Sequence, residues 1–201
     1  MPGRDEIVRS LTGAWRLFLD RPDAMRYFDV SVEGFWRSFR AILLILPAYL
    51  LVVISERAQI LTDAFPDDGF DNGSFVVNKA LTLVLDWITL PVVLALVARP
   101  LGVGRMYAAY IVARNWGAVL AIAPFGLVAI LFLLGFLGGE LANVISLAIL
   151  VVVVRFNYLI ARRALGADIG LATGLVIADF AISLAIVGAV DAIFDYRPPV
   201  L

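Results

Sequence analysis

Residues 110–136 read YIVARNWGAVLAIAPFGLVAILFLLGF. From Trp116 to Phe136 no residue is charged. At about 1.5 Å per residue, a helix over that stretch covers the roughly 30 Å hydrocarbon layer of a bilayer. Polar positions do not alternate with apolar ones, as the strands of a membrane β-barrel require. The stretch therefore reads as a transmembrane α-helix. Arg114 and Asn115 at its start then have to be explained in lipid rather than in water.

The same pattern recurs along the chain. Of 201 residues, 62% are hydrophobic, and the mean hydropathy is +0.96; soluble domains average about 45–50% apolar residues. The excess lies in runs that predict five spans, at 38–56, 76–98, 112–136, 141–162 and 169–193. Pro47, Pro91 and Pro124 fall inside spans, where neighbouring helices can satisfy the freed carbonyls. The expected fold class is thus all-α: a polytopic helical membrane protein with a five-span bundle over 38–193. A cytosolic or interfacial segment over 1–37 precedes it, and a short external tail over 194–201 follows. Residues 1–22 carry charges throughout and lack the apolar core of a signal peptide. They predict an amphipathic helix with Ile7, Val8, Leu11, Trp15 and Phe18 on one face, lodged on the membrane surface or packed on the protein itself.

Orientation follows from charge. Thirteen of the sixteen basic residues fall before or at the start of the first span, between the second and third or at that junction, or towards the end of the fourth; Arg57, Lys79 and Arg197 fall on the other side. The positive-inside rule then predicts a cytoplasmic N-terminus and an external C-terminus. Fifteen of the sixteen are arginine, a usage expected of a GC-rich bacterial genome and hence of a bacterial inner membrane. The bilayer is the expected surrounding, with a membrane-protein partner or a second copy as the possible associate.

Several chemistries are excluded by composition. The chain has no cysteine and no histidine, which removes thiol nucleophiles, disulfides and the usual zinc and haem ligands. No P-loop or dinucleotide glycine fingerprint occurs, and no basic-aromatic platform for nucleic acid. No metal or other cofactor is expected. Asp67, Asp68 and Asp71 sit in an acidic segment, but their spacing does not match a calcium loop, and a solvated, turn-rich loop is the expected structure.

Five polar residues within or at the ends of spans are the candidate cluster: Asp86, Arg114, Asn115, Arg155 and Asp179. A charge at the bilayer centre costs at least about 2.5–3.5 kcal/mol and so seeks a partner or a wet cavity. Depth estimates pair Asp179 with Arg155, since spans four and five are joined by a short turn. Arg114 is expected to snorkel to the inner head groups, with residues 105–113 as a surface pre-helix; the alternative buries Arg114 and Asn115 in a polar pocket. Asp86 has no evident basic partner at its depth; it can sit protonated, bond Thr82 or Thr89, or face Arg114 or Arg155 across the bundle. Pro91 cannot donate to the Trp87 carbonyl, which leaves a free acceptor beside that carboxyl. In the last span Gly166, Gly170, Gly174 and Ala178 form a small-residue row suited to close helix packing within the bundle, and Asp168 is the expected N-cap.

The segment RFNYLIARRALGADIGLATGLVIADF, residues 155–180, closes the fourth span and leads into a glycine- and alanine-rich fifth. In this order the chain resembles the Yip-type (Ypt-interacting protein) five-span membrane domain, bacterial branch. The resemblance covers roughly 38–193 and is one of layout; the eukaryotic D-L-Y-G-P signature is missing, and Rab-type GTPase binding is not carried over. It implies a small integral membrane protein without catalytic residues, acting as a scaffold or accessory subunit. The residues themselves suggest an alternative, a small transporter or transporter subunit using intramembrane carboxylates. A third reading, an intramembrane aspartyl protease using Asp86 and Asp179, lacks the flanking motifs of such enzymes.

Overall fold

The computed structural model describes residues 3–63 and 70–194. It contains seven α-helices: α1 Arg4–Phe18, α2 Val32–Ser38, α3 Ile42–Asp63, α4 Asn72–Val97, α5 Tyr107–Leu133, α6 Gly139–Leu165 and α7 Ile169–Ile193. Short 3-10 turns cover Ala24–Tyr27, Phe39–Ala41 and Gly104–Met106. Five stretches are long and apolar enough to cross a membrane: Val32–Thr62, Asn72–Val97, Gly104–Leu133, Gly139–Leu165 and Ile169–Ile193. The chain is therefore an all-α, polytopic membrane protein. Among the described residues there is no strand.

Local chemistry explains the element ends. Ser31 caps α2 by accepting from Gly34 N at 3.0 Å. Asp71 caps α4 by accepting from Gly73 N and Ser74 N, and Asp168 caps α7 by accepting from Leu171 N at 2.7 Å. Each side chain satisfies amides that have no carbonyl partner in the first turn. Gly166 ends α6 at φ 62°, the left-handed conformation that glycine adopts without strain. Asp71 is thus occupied in a cap; Asp67 and Asp68 lie outside the described residues.

Two span ends differ from expectation. α3 continues past Ser55 to Asp63, because its charged last turns have partners: Glu56 pairs with Lys79 at 2.5 Å and Arg57 donates to Asn72 Oδ1 at 2.6 Å. α5 begins at Tyr107, so residues 107–113 are not a surface pre-helix. Tyr110, Ile111, Val112 and Ala113 are fully enclosed.

What encloses them is the N-terminal segment. α1 packs against α5 and α6, and α2 packs against α5. The buried face of α1 is Ser10, Gly13, Ala14 and Leu17, not the whole apolar stripe expected. Ile7, Leu11 and Phe18 flank it, while Val8 and Trp15 point outward. Small residues are selected because the contact is close: a Cβ on Gly13 would lie 2.8 Å from Tyr27 Cβ. Phe18 stacks edge-on to Phe156 of α6, and Asp20 accepts from Arg163 Nε at 2.8 Å, which holds its carboxyl below the usual carboxylate range. Elsewhere the spans leave Leu127, Val144, Leu147, Val151, Ile177 and Leu184 exposed, as lipid-facing positions should be, because lipid tails do not drive apolar side chains inward.

Candidate intramembrane binding site

α4 and α7 run antiparallel and are joined by two polar contacts. Asn78 Nδ2 donates to Asp191 Oδ1 at 2.9 Å, and the Ser183 hydroxyl donates to Asp86 Oδ1. Asn78 and Asp86 are eight residues apart, as are Asp191 and Ser183, so one antiparallel register satisfies both contacts. Next to the second contact, Arg114 of α5 reaches Asp179 of α7 at 3.0 Å. Both side chains of this pair are largely withdrawn from the surface, at 12% and 15% exposure.

Asp86, Ser183, Arg114 and Asp179 open on one cavity of about 380 Å³. Its polar lining is Asp86, Arg114, Asp179, Ser183, Tyr49 and Asn157; Leu83, Trp87, Ile122, Phe125, Val176 and Phe180 supply much of the rest. The volume falls within the range typical of small-molecule pockets, as does a mostly apolar wall with a few polar groups. Asp86 is about eleven residues from the C-terminal end of α4 and Asp179 about ten from the start of α7, so both sit roughly 15 Å along their helices. The chamber therefore lies near mid-span. Of its three charged groups, Arg114 and Asp179 compensate each other. Asp86 has one hydroxyl donor and makes no ion pair among the described residues.

The candidate cluster divides. Asp86, Arg114 and Asp179 meet at the chamber; Asn115 and Arg155 do not. Adjacent residues on a helix point in different directions, and Asn115 faces the N-terminal cap, where its Nδ2 donates to Ser38 Oγ at 3.0 Å in full burial. Arg155 is exposed and turns towards α1, donating to the Phe18 carbonyl at 3.4 Å. The expected Arg155–Asp179 pair is thus replaced by Arg114–Asp179. The reason is azimuth: rise per residue sets depth, but Arg155 sits on the face of α6 turned to α1. Meanwhile α5 and α6 approach closely at Gly117, where an added Cβ would lie 2.7 Å from Ile160 Cδ1. Snorkelling by Arg114 is overturned as well, because α1 and α2 cover the end of α5 that it would have to pass.

The small-residue row is also reassigned. Gly166 is a helix end rather than a packing position. Gly170, Gly174 and Ala178 are exposed, and a Cβ on Gly174 would meet nothing within 4 Å. α7 is held in the bundle instead by Ala172, Leu175 and Val190 and by its polar contacts. Ser183, Asp191, Asn78, Tyr49 and Asn157 were not anticipated. The equal eight-residue spacings on spans two and five were the available signal for the first three. No family model, curated protein or solved structure matches this chain.

Proposed function

We propose that the protein is a small transporter or transporter subunit, non-enzymatic, whose substrate site is the chamber between α4, α5 and α7. The observation that carries this reading is the convergence of Asp86, Arg114 and Asp179, from three different helices, on one ligand-sized cavity near mid-span. Charge at that depth is costly, and apolar side chains would pack a purely structural bundle at least as well. Binding sites at the bilayer midplane, beside proline-interrupted helices, are also what transporters use; Pro91 lies inside α4, five residues from Asp86.

The absence of native cysteine makes the test direct. Ala118→Cys and Ser183→Cys, both in the chamber wall, are expected to react with a membrane-impermeant thiol reagent in intact vesicles. Leu127→Cys, on the outer surface of α5, is expected to stay unlabelled. Chamber cysteines inert from both sides of the membrane would overturn the reading.

We further propose an inner-membrane location in a bacterium with the N-terminus in the cytoplasm and the C-terminus outside, supported by the thirteen-to-three division of basic residues. Reporter fusions after residue 70 and at the C-terminus should read external, and one after residue 103 cytoplasmic. An internal C-terminus would refute it.

A second reading is that of a scaffold or accessory subunit, as the Yip-type layout implies. The exposed row of Gly170, Gly174 and Ala178, which lines an open groove beside α4, supports it, since such rows allow another helix to approach closely. Chamber cysteines closed to water, together with a stoichiometric membrane-protein partner, would favour it over transport.

A further inference from the structure

We infer that the chamber takes an organic monocation with an apolar body, held by Asp86. This rests on the chamber reading above and names its ligand class. The charged lining is two carboxylates and one guanidinium. Arg114 and Asp179 form a pair at 3.0 Å, which leaves one carboxylate, that of Asp86, whose hydrogen bond comes from a neutral hydroxyl. A single hydroxyl does not replace the hydration that a carboxylate loses on leaving water. A cation in the chamber would complete the balance. An anion would meet the Asp86 carboxylate with the one guanidinium already hydrogen-bonded to Asp179.

The remaining wall sets the cation's character. Trp87, Phe125, Phe180 and Tyr49 contribute rings from α4, α5, α7 and α3, and aromatic faces attract organic cations, quaternary ammonium groups above all. A bare metal ion would need several oxygen ligands to replace its water, whereas this wall is mostly hydrocarbon. A cavity of about 380 Å³ has room for a substituted ammonium with a ring or short chain. Charged or titratable groups reach the site from α3 as Tyr49, from α5 as Arg114 and from α7 as Asp179; Asn157 of α6 is neutral. Tyr49 donates its hydroxyl to the Lys79 carbonyl at 2.8 Å, and Arg114 and Asp179 are engaged with each other. Asp86 is therefore the group to which an incoming cation binds.

The experiment is calorimetric titration of the full chain in detergent with benzyltrimethylammonium and, as an opposite-charge probe of similar size, benzenesulfonate, with empty micelles subtracted. Saturable binding of the cation and none of the anion is expected. Asp86→Asn keeps the shape and an acceptor for Ser183; it should weaken cation binding by at least about thirtyfold, as when one partner of a buried charge pair is removed. Leu127→Ala, on the outer surface of α5 and away from the chamber, should retain cation binding. Equal binding of both probes, no saturable cation binding, or unchanged affinity in Asp86→Asn would each overturn the inference. If the cation fails to bind while chamber cysteines still label, the ligand class is wrong and the chamber reading stands. If the cysteines are closed, both fall.

Discussion

Arg114→Met and Asp179→Leu are each expected to destabilise the protein by about 3–5 kcal/mol, and the double variant by clearly less than their sum. The two side chains meet at 3.0 Å with 12% and 15% exposure, so removing one strands the other in a low-dielectric interior. Removing both strands neither member of the pair and leaves a differently packed contact between α5 and α7. A double-mutant cycle read by unfolding in detergent isolates the pair term. Strict additivity would show that the two residues do not stabilise each other. The cycle also bears on function, because a strong pair keeps Arg114 engaged and leaves Asp86 as the chamber's exchangeable carboxylate.

How much of this was legible beforehand depends on which coordinate is asked for. Position along the membrane normal follows from hydropathy and rise per residue. The fifth span was placed at 169–193 and is Ile169–Ile193; the fourth was placed at 141–162 and is Gly139–Leu165. Asp86 and Asp179 were expected near mid-span, and their helices carry them there. Rotation about each helix axis was not legible. In water an apolar stripe marks the buried face, but a span is apolar all round, and periodicity loses its meaning. Hence depth pairs Arg155 with Asp179 although Arg155 sits on another face, and the Gly170–Gly174–Ala178 row, expected at a close contact, lines an open groove beside α4.

Charges misled at the helix ends for a related reason. The first expected span stops at 56 and the third puts Arg114 near its start, where an isolated charge, expensive in lipid, could leave the bilayer. Arg114 and Glu56 each have a protein partner, Asp179 and Lys79 respectively, and the helices run on. The N-terminal helix shows the converse. Its bulky apolar residues promised the buried face, yet the close approach to Tyr27 and Phe28 selects Gly13 and Ala14. That preference depends on which segments it meets, and no local pattern in α1 reports it.

Gly34→Ala is expected to cost about 1–3 kcal/mol, a large effect for one methyl group, and to loosen α1 from the bundle. A Cβ at Gly34 would lie 2.2 Å from the Asp29 carbonyl oxygen and 2.5 Å from Asp29 Cγ. Backbone cannot step aside as a flexible side chain can. The displaced residue is a junction: Asp29 Oδ1 accepts from Ser31 N at 3.0 Å, and Oδ2 accepts from Arg37 Nη2 at 2.6 Å. Arg37 in turn pairs with Glu33 at 2.6 Å and with Glu6 of α1 at 3.1 Å. Moving Asp29 therefore disturbs the guanidinium that ties α1 to α2. Hydrogen bonds from Ser31, reinforced by Arg37, hold the Asp29 carboxyl below its usual range. A depressed carboxylate contributes stability above its unfolded value, about 3.9, and that contribution is lost as pH falls through the folded value. Acidification below about pH 4 should thus loosen the same junction in the unaltered protein. Trypsin reads the first effect at Arg21 and Arg26, in the link between α1 and α2, and thermal melting below about pH 4 reads the second: cleavage should be faster in Gly34→Ala at neutral pH. Wild-type melting and wild-type cleavage in that variant would mean that the Asp29 segment yields freely and does not anchor α1.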